Sequence, residues 1–188
     1  MKLNPLLMCV PLSLVACKDL QPRPQAASGV VSAPAKGTPA RPGPAPARQP
    51  PDADGTLRVS PGERCPVTGR PISIGSRWTA AAVLRDGRSY YILSPRSLVR
   101  AYLRPRDAFR VADEKELTRL IVTDHATGRP LDARQAHFVL GTKLRGPVGP
   151  DLVPAASADA AARLQREHPG SRVVRLQELT PAWIRNLR

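Results

Sequence analysis

Between Trp78 and Leu103 the chain spells out a strand, a turn, a second strand and a helix without interruption, and this run constrains the fold more than any other feature. Trp78, Ala80, Ala82 and Leu84 fall on one face at the period of two that marks a strand. Arg85-Asp86-Gly87-Arg88 follows, and Asp-Gly is a strong hairpin signal because both residues tolerate positive φ. Tyr90 to Leu93 reads as the return strand. Ser94-Pro95 then reads as an N-cap followed by proline at the first helical position. The helix is predicted to run to about Leu103, with Leu98 and Tyr102 on its core side, and Pro105 stops it. Leu120-Ile121-Val122 is a short buried strand.

The same order of elements returns further on. Ala136 to Leu140 is a strand, and Leu152-Val153-Pro154-Ala155 is a weaker one that its proline assigns to an edge or a bulge. Ser157 caps a helix from Ala158 to about Glu167, which ends before Pro169-Gly170. Arg172 to Leu176 is the last strand. Thr180-Pro181 opens a terminal helix able to bury Trp183, Ile184 and Leu187. The expected fold class is therefore α+β: two ββαβ units plus a C-terminal helix over residues 56–188. The repeat lies in element order and not in residue identity.

The residues before 56 follow different chemistry. Lys2 and the apolar run 5–16 form a secretory signal segment, too short for the roughly 18 apolar residues of a spanning helix. The segment ends Leu14-Val15-Ala16-Cys17, which looks like the lipobox of bacterial lipoproteins; residues 1–16 are the expected signal peptide and Cys17 the expected acylated terminus. Residues 17–55 read as the lipidated cysteine and a disordered tether rich in Pro and Ala. Such composition buries too little apolar surface to offset the entropy of ordering. At roughly 3 Å per residue, the tether could reach about 100 Å from a membrane. The expected location is outside the cytoplasm, anchored to a bacterial membrane that faces the periplasm or to the outer membrane.

The chain carries 29 Lys+Arg against 15 Asp+Glu, a formal charge of +14. Arg96, Arg100 and Arg104 recur on one helix face. A solvated face is the plain reading, and attraction to anionic lipid headgroups is the functional one. Nucleic acid is not the expected partner, since the chain reads as exported and aromatics make up only 4% of it. Nucleotide binding is also rejected. Gly141 to Gly146 begins like a phosphate-binding loop, but Pro147 and Val148 stand where Lys and Ser/Thr are required, and proline removes an N–H.

Three cysteines (Cys9, Cys17, Cys65) and three histidines (His125, His137, His168) exclude a disulfide-stapled scaffold and a four-cysteine zinc site. Cys65 lies on a loop before the first strand, in Cys65-Pro66-Val67-Thr68-Gly69-Arg70, and is open to three readings: metal ligand, nucleophile or structural thiol. Thr123-Asp124-His125-Ala126-Thr127-Gly128 is read as a turn in which Asp and Thr bond their own backbone, in preference to a catalytic Asp-His pair. No Gly-x-Ser-x-Gly elbow accompanies it.

The motif order resembles the NosL family, the nitrous oxide reductase accessory lipoproteins. The matching residues are Cys65-Pro66-Val67 with Gly69; Leu84 to Gly87 with Tyr90-Tyr91; and Val122 to His125 with Thr127-Gly128 and Leu131-Asp132-Ala133. Then come Ala136 to Val139 with Gly141; Gly146-Pro147 with Gly149; and Val173-Val174, Leu176 and Glu178-Leu179. The resemblance implies a lipid-anchored, non-catalytic copper(I) carrier serving maturation of a periplasmic metalloenzyme, with a metalloenzyme or its assembly factors as partners. It also implies two ββαβ halves similar to organomercurial lyase. The family's Cys-x-x-Cys-Gly-Met has become Cys65, Thr68 and Arg70 here, and Val148 replaces the Met of its Gly-Pro-Met-Gly. Copper(I) prefers sulfur donors, so the metal candidates that remain are Cys65, His125 and His137. The alternative is a metal-free lipoprotein module that presents an Arg-rich surface to a protein or anionic lipid.

Overall fold

The computed structural model describes residues 43–186. The expected signal segment, Cys17 and the tether up to residue 42 lie outside the described residues, as does Leu187. No described helix is long and apolar enough to cross a membrane.

β1 (Ala80–Leu84) and β2 (Ser89–Ile92) form the expected antiparallel hairpin. Only Gly87 uses positive φ, at 86°. Asp86 instead stabilises the turn from its side chain, with Oδ1 accepting from the Arg88 N–H at 3.0 Å. Ser94 caps α1 (Pro95–Leu103), where its hydroxyl accepts from Ser97 N–H at 3.3 Å and Pro95 occupies the first turn. Pro105 ends α1 and opens a second short helix, α2 (Pro105–Phe109), which sets Phe109 against Tyr90 with ring centroids 5.1 Å apart.

β3 (Leu117–Thr123) is longer than the three apolar residues suggested. It pairs with β1 on one side and β4 (Pro130–Asp132) on the other, giving the sheet order β2-β1-β3-β4. β4 was not expected, because three residues that include a proline carry no periodic signal.

The second unit has β5 (His137–Leu140) at the centre of a three-stranded antiparallel sheet. A two-stranded hairpin follows it, β6 (Arg145–Gly146) and β7 (Gly149–Pro150), within the segment expected to be a stiff loop. The sheet is completed by β8 (Val153–Ala155) at one edge, as Pro154 predicted, and β9 (Arg172–Arg175) at the other. α3 (Ala158–Glu167) is capped by Ser157, whose hydroxyl accepts from Ala160 N–H at 3.1 Å. α4 (Pro181–Arg185) buries Ile184 and half-buries Trp183.

β5 is apolar at Phe138, Val139 and Leu140 because both faces of its sheet are covered. Phe138 and Leu140 join the large core that contains Leu98 and Val122 of the first unit. Val139 faces the other way, into a smaller cluster with Val153, Ala161 and Leu164 of α3. Alternation along a strand delivers successive side chains to opposite faces, so one strand ties the two halves together.

The folded region begins earlier than residue 56. Ala47 N–H donates to Ser89 O at 2.7 Å along the free edge of β2, and Arg58 N–H donates to the Tyr91 hydroxyl at 2.8 Å. Pro51 is buried, and Arg119 donates to the carbonyls of Asp52 and Ala53 at 3.1 Å. Residues 47–55, expected in the tether, are held by backbone groups. Composition does not report which strand edge will offer them partners.

Candidate functional site

Cys65 sits in a tight loop that precedes β1. Its N–H donates to Arg70 O at 2.9 Å, and its carbonyl accepts from Gly69 N–H at 2.8 Å. Gly69 has a φ of +69°, a conformation glycine supplies without steric cost. An isolated bridge between Arg64 and Pro71 closes the base, and Arg64 Nη1 donates to Gly69 O at 2.8 Å. The thiol is only 1% exposed and belongs to the large core.

The loop leans on the β6–β7 hairpin. Arg70 Nη1 donates to Pro147 O at 3.0 Å, bridging 77 residues of sequence. Val148 packs half-buried against the core, as does Val67 of the cysteine loop. The two motifs that depart from the NosL pattern therefore occupy facing loops, joined by the arginine that stands at one of the altered positions. Their side chains supply one thiol, one hydroxyl, one guanidinium and one isopropyl group. That set does not make a closed copper(I) site, which calls for several sulfur donors.

The hairpin is braced from behind by Asp151, which is 2% exposed. Its Oδ1 accepts from the N–H of Arg96 at 2.7 Å and that of Leu152 at 2.9 Å. Asp151 thus caps α1 from outside the helix, in addition to Ser94. Oδ2 is buried without a hydrogen-bond partner. Burial pushes this carboxyl above its usual range, opposed by Ser94, the two N–H donors and the Arg96 charge. A Cβ placed on Gly146 would lie 2.5 Å from Oδ2, so only glycine lets the hairpin close over the carboxylate.

His125 lies in the turn after β3. Its N–H donates to Pro154 O at 2.9 Å, and its ring is 5.8 Å from that of Trp78. Burial, and next the Arg77 charge, push its pKa down. The Asx turn read from the sequence is present. Asp124 Oδ2 accepts from the Thr127 N–H at 2.9 Å and its hydroxyl at 2.6 Å. Oδ1 also accepts from Ala156 N–H at 3.0 Å, so the buried Asp124 is a joint between the halves.

His137 lies on β5 opposite Ala155 and Arg175. Arg175 Nη1 is 3.0 Å from His137 Nε2. Guanidinium can only donate, so Nε2 is the acceptor and its lone pair is engaged, while Nδ1 is buried without a partner. Cys65, His125 and His137 are not gathered into one donor set. Among the described residues, no group of three or more His, Cys, Asp or Glu side chains could hold a metal ion.

Two features escaped the sequence reading. Asp151 lies in an unpatterned Pro-Asp-Leu stretch and gains its role from α1, 55 residues upstream. Arg185 joins the basic stripe of α1, because α4 packs beside α1 around a cleft of about 360 Å³. Neither position carries a local signal.

A family model, NosL, matches residues 56–184. Two solved structures are similar. The copper chaperone NosL from Shewanella denitrificans shares 18% identity and covers 70% of this chain and 99% of its own, with a TM-score of 0.58. The apo-NosL protein from Achromobacter cycloclastes, solved by solution NMR, shares 23% identity, covers 56% of this chain and 87% of its own, and has a TM-score of 0.42. The first likeness shows a shared fold. No curated protein matches the chain.

Proposed function

The chain belongs to the NosL family, and from that premise we propose that it is a lipid-anchored accessory protein in copper handling, serving maturation of a periplasmic metalloenzyme such as nitrous oxide reductase. The observation that carries this reading is the contact of the Cys65 loop with the 145–150 hairpin, made by Arg70 and Pro147. These are two of the segments that carry the resemblance to the family, and the two in which this chain departs from its motifs. The Shewanella denitrificans relative is a copper chaperone. In this chain Cys65 is the one soft donor at the paired loops. His125 and His137 are the remaining candidates as ligands. Acylation of Cys17 would place the domain at a membrane surface.

A second reading is favoured by the burial of Cys65 and by the Arg70 guanidinium that ties its loop to the hairpin. Here the domain is a metal-free module that docks through its arginines. Anaerobic copper(I) titration against a chromophoric chelator separates the two. The copper reading expects stoichiometric binding that Cys65→Ala abolishes. Equal binding by both proteins removes Cys65 as the ligand, and binding by neither removes the copper role. Labelled fatty acid should enter the wild type and not the Cys17→Ser variant.

A further inference from the structure

The cleft between α1 and α4 is bounded by Arg96 and Arg100 of α1, Arg104 at its C-terminal cap, and Arg185 of α4. Arg96 is committed to building it. Its Nη1 donates to Pro150 O at 3.1 Å and its Nη2 to Ile184 O at 2.9 Å, which fixes α4 and the hairpin to α1. The other three arginines are exposed. Among the described residues, their side chains make no ion pair or hydrogen bond. Among the described residues, no acidic one lines the cleft; Asp107 lines a neighbouring depression that shares Arg104. The rest of the lining is apolar: Leu103, Pro181 and Ile184.

From this arrangement we infer that the cleft binds the phosphodiester headgroup of an anionic membrane lipid. Three unpaired guanidinium groups at one rim create a concentrated positive field, and their planar forks match phosphate oxygens. The apolar residues that line the cleft with them call for a ligand whose anion is attached to methylenes. A volume of about 360 Å³ lies in the range of small-ligand sites. It suits a headgroup and the start of its acyl chains. The role of this site rests on the membrane-bound reading above: the tether would deliver the domain, and the cleft would orient it, turning the α1–α4 face toward the bilayer.

The test uses the full chain carrying Cys17→Ser, so that no acyl anchor contributes. Co-sedimentation is measured with vesicles of phosphatidylcholine alone and with vesicles of equal parts phosphatidylcholine and phosphatidylglycerol; the difference between them is the readout, which subtracts partitioning by residues 5–16. The triple variant Arg100→Gln, Arg104→Gln, Arg185→Gln is expected to weaken binding to the anionic vesicles by roughly 100-fold, from the usual contribution per basic residue at a membrane surface. A charge-matched variant, Arg129→Gln, Arg163→Gln, Arg166→Gln, replaces exposed arginines outside the cleft and is expected to cost only a few-fold. Equal losses in the two triples would reduce the effect to net charge and overturn the site. So would equal binding to both vesicle types. Release by inorganic phosphate, at concentrations where chloride of the same ionic strength releases nothing, would replace the lipid by a free anion and also overturn the proposal. Fatty-acid labelling at Cys17 is unaffected by these outcomes, so failure of the anchor and failure of the cleft are read separately.

Discussion

Replacing Gly146 by alanine tests the packing that supports the hairpin. Gly146 is not among the glycines with positive φ, so its backbone accepts alanine. By itself that change would stabilise the protein by about 0.4–1 kcal/mol through the unfolded chain. The added Cβ, however, would lie 2.5 Å from Asp151 Oδ2, 2.9 Å from its Cβ and 3.0 Å from its Cγ. The aspartate cannot swing away freely, because two N–H groups hold its Oδ1. Overpacking of this kind costs about 1–3 kcal/mol, and loosening the cap on α1 adds about 1 kcal/mol. The net expectation is a destabilisation of about 2 kcal/mol, seen as a fall in Tm of roughly 4–8 °C for a domain of this size. A double-mutant cycle identifies the cause. In an Asp151→Gly background all three close contacts vanish, so Gly146→Ala should become neutral or stabilising, a coupling of about 2–3 kcal/mol. Urea unfolding of the four proteins supplies the values. The same cost in both backgrounds would refute the reasoning, and so would an unchanged Tm in the single variant.

Asp151 also predicts a pH dependence. Its carboxyl is pushed up from 3.8 in the folded state, so the fold prefers the neutral form. Its contribution to stability is fully present below pH 3.8 and is lost as pH rises through the higher folded value. The stability of wild type minus that of Asp151→Asn should therefore fall with rising pH in urea titrations; a flat or rising difference contradicts the assignment. Arg70→Ala should leave stability within about 1 kcal/mol, since the bond it removes is exposed. It should nevertheless speed the reaction of Cys65 with a disulfide reagent several-fold, because the loop then parts from the hairpin more often. Identical rates in the two proteins would show that Arg70 does not hold the loop shut.

Much of the fold was legible because its signals are local. Ser94-Pro95 and Ser157 start helices through bonds to the third residue onward, and Asp86 turns the chain through Arg88, two residues away. The Asp124 turn is equally local. Its bond to Ala156 is not, and nothing within the turn predicted it. The candidate metal ligands illustrate the same division. Their residue types could be read, but Cys65 proved buried and His137 proved engaged with Arg175, facts set by strands paired elsewhere.

From the amino-acid order alone came two strand–strand–helix–strand units and their caps and turns; the resemblance to the family added that Thr68, Arg70 and Val148 stand where its motifs carry sulfur. Each depends on neighbours a few residues apart or on identity itself. Tertiary structure decided that Ala47 pairs with the edge of β2, that Arg70 reaches Pro147, that Asp151 caps α1, and that Arg185 completes a basic cleft. The partners in those contacts lie about forty to ninety residues apart. They meet only because a free strand edge, an uncapped helix end and an unfilled groove persist until a distant segment satisfies them.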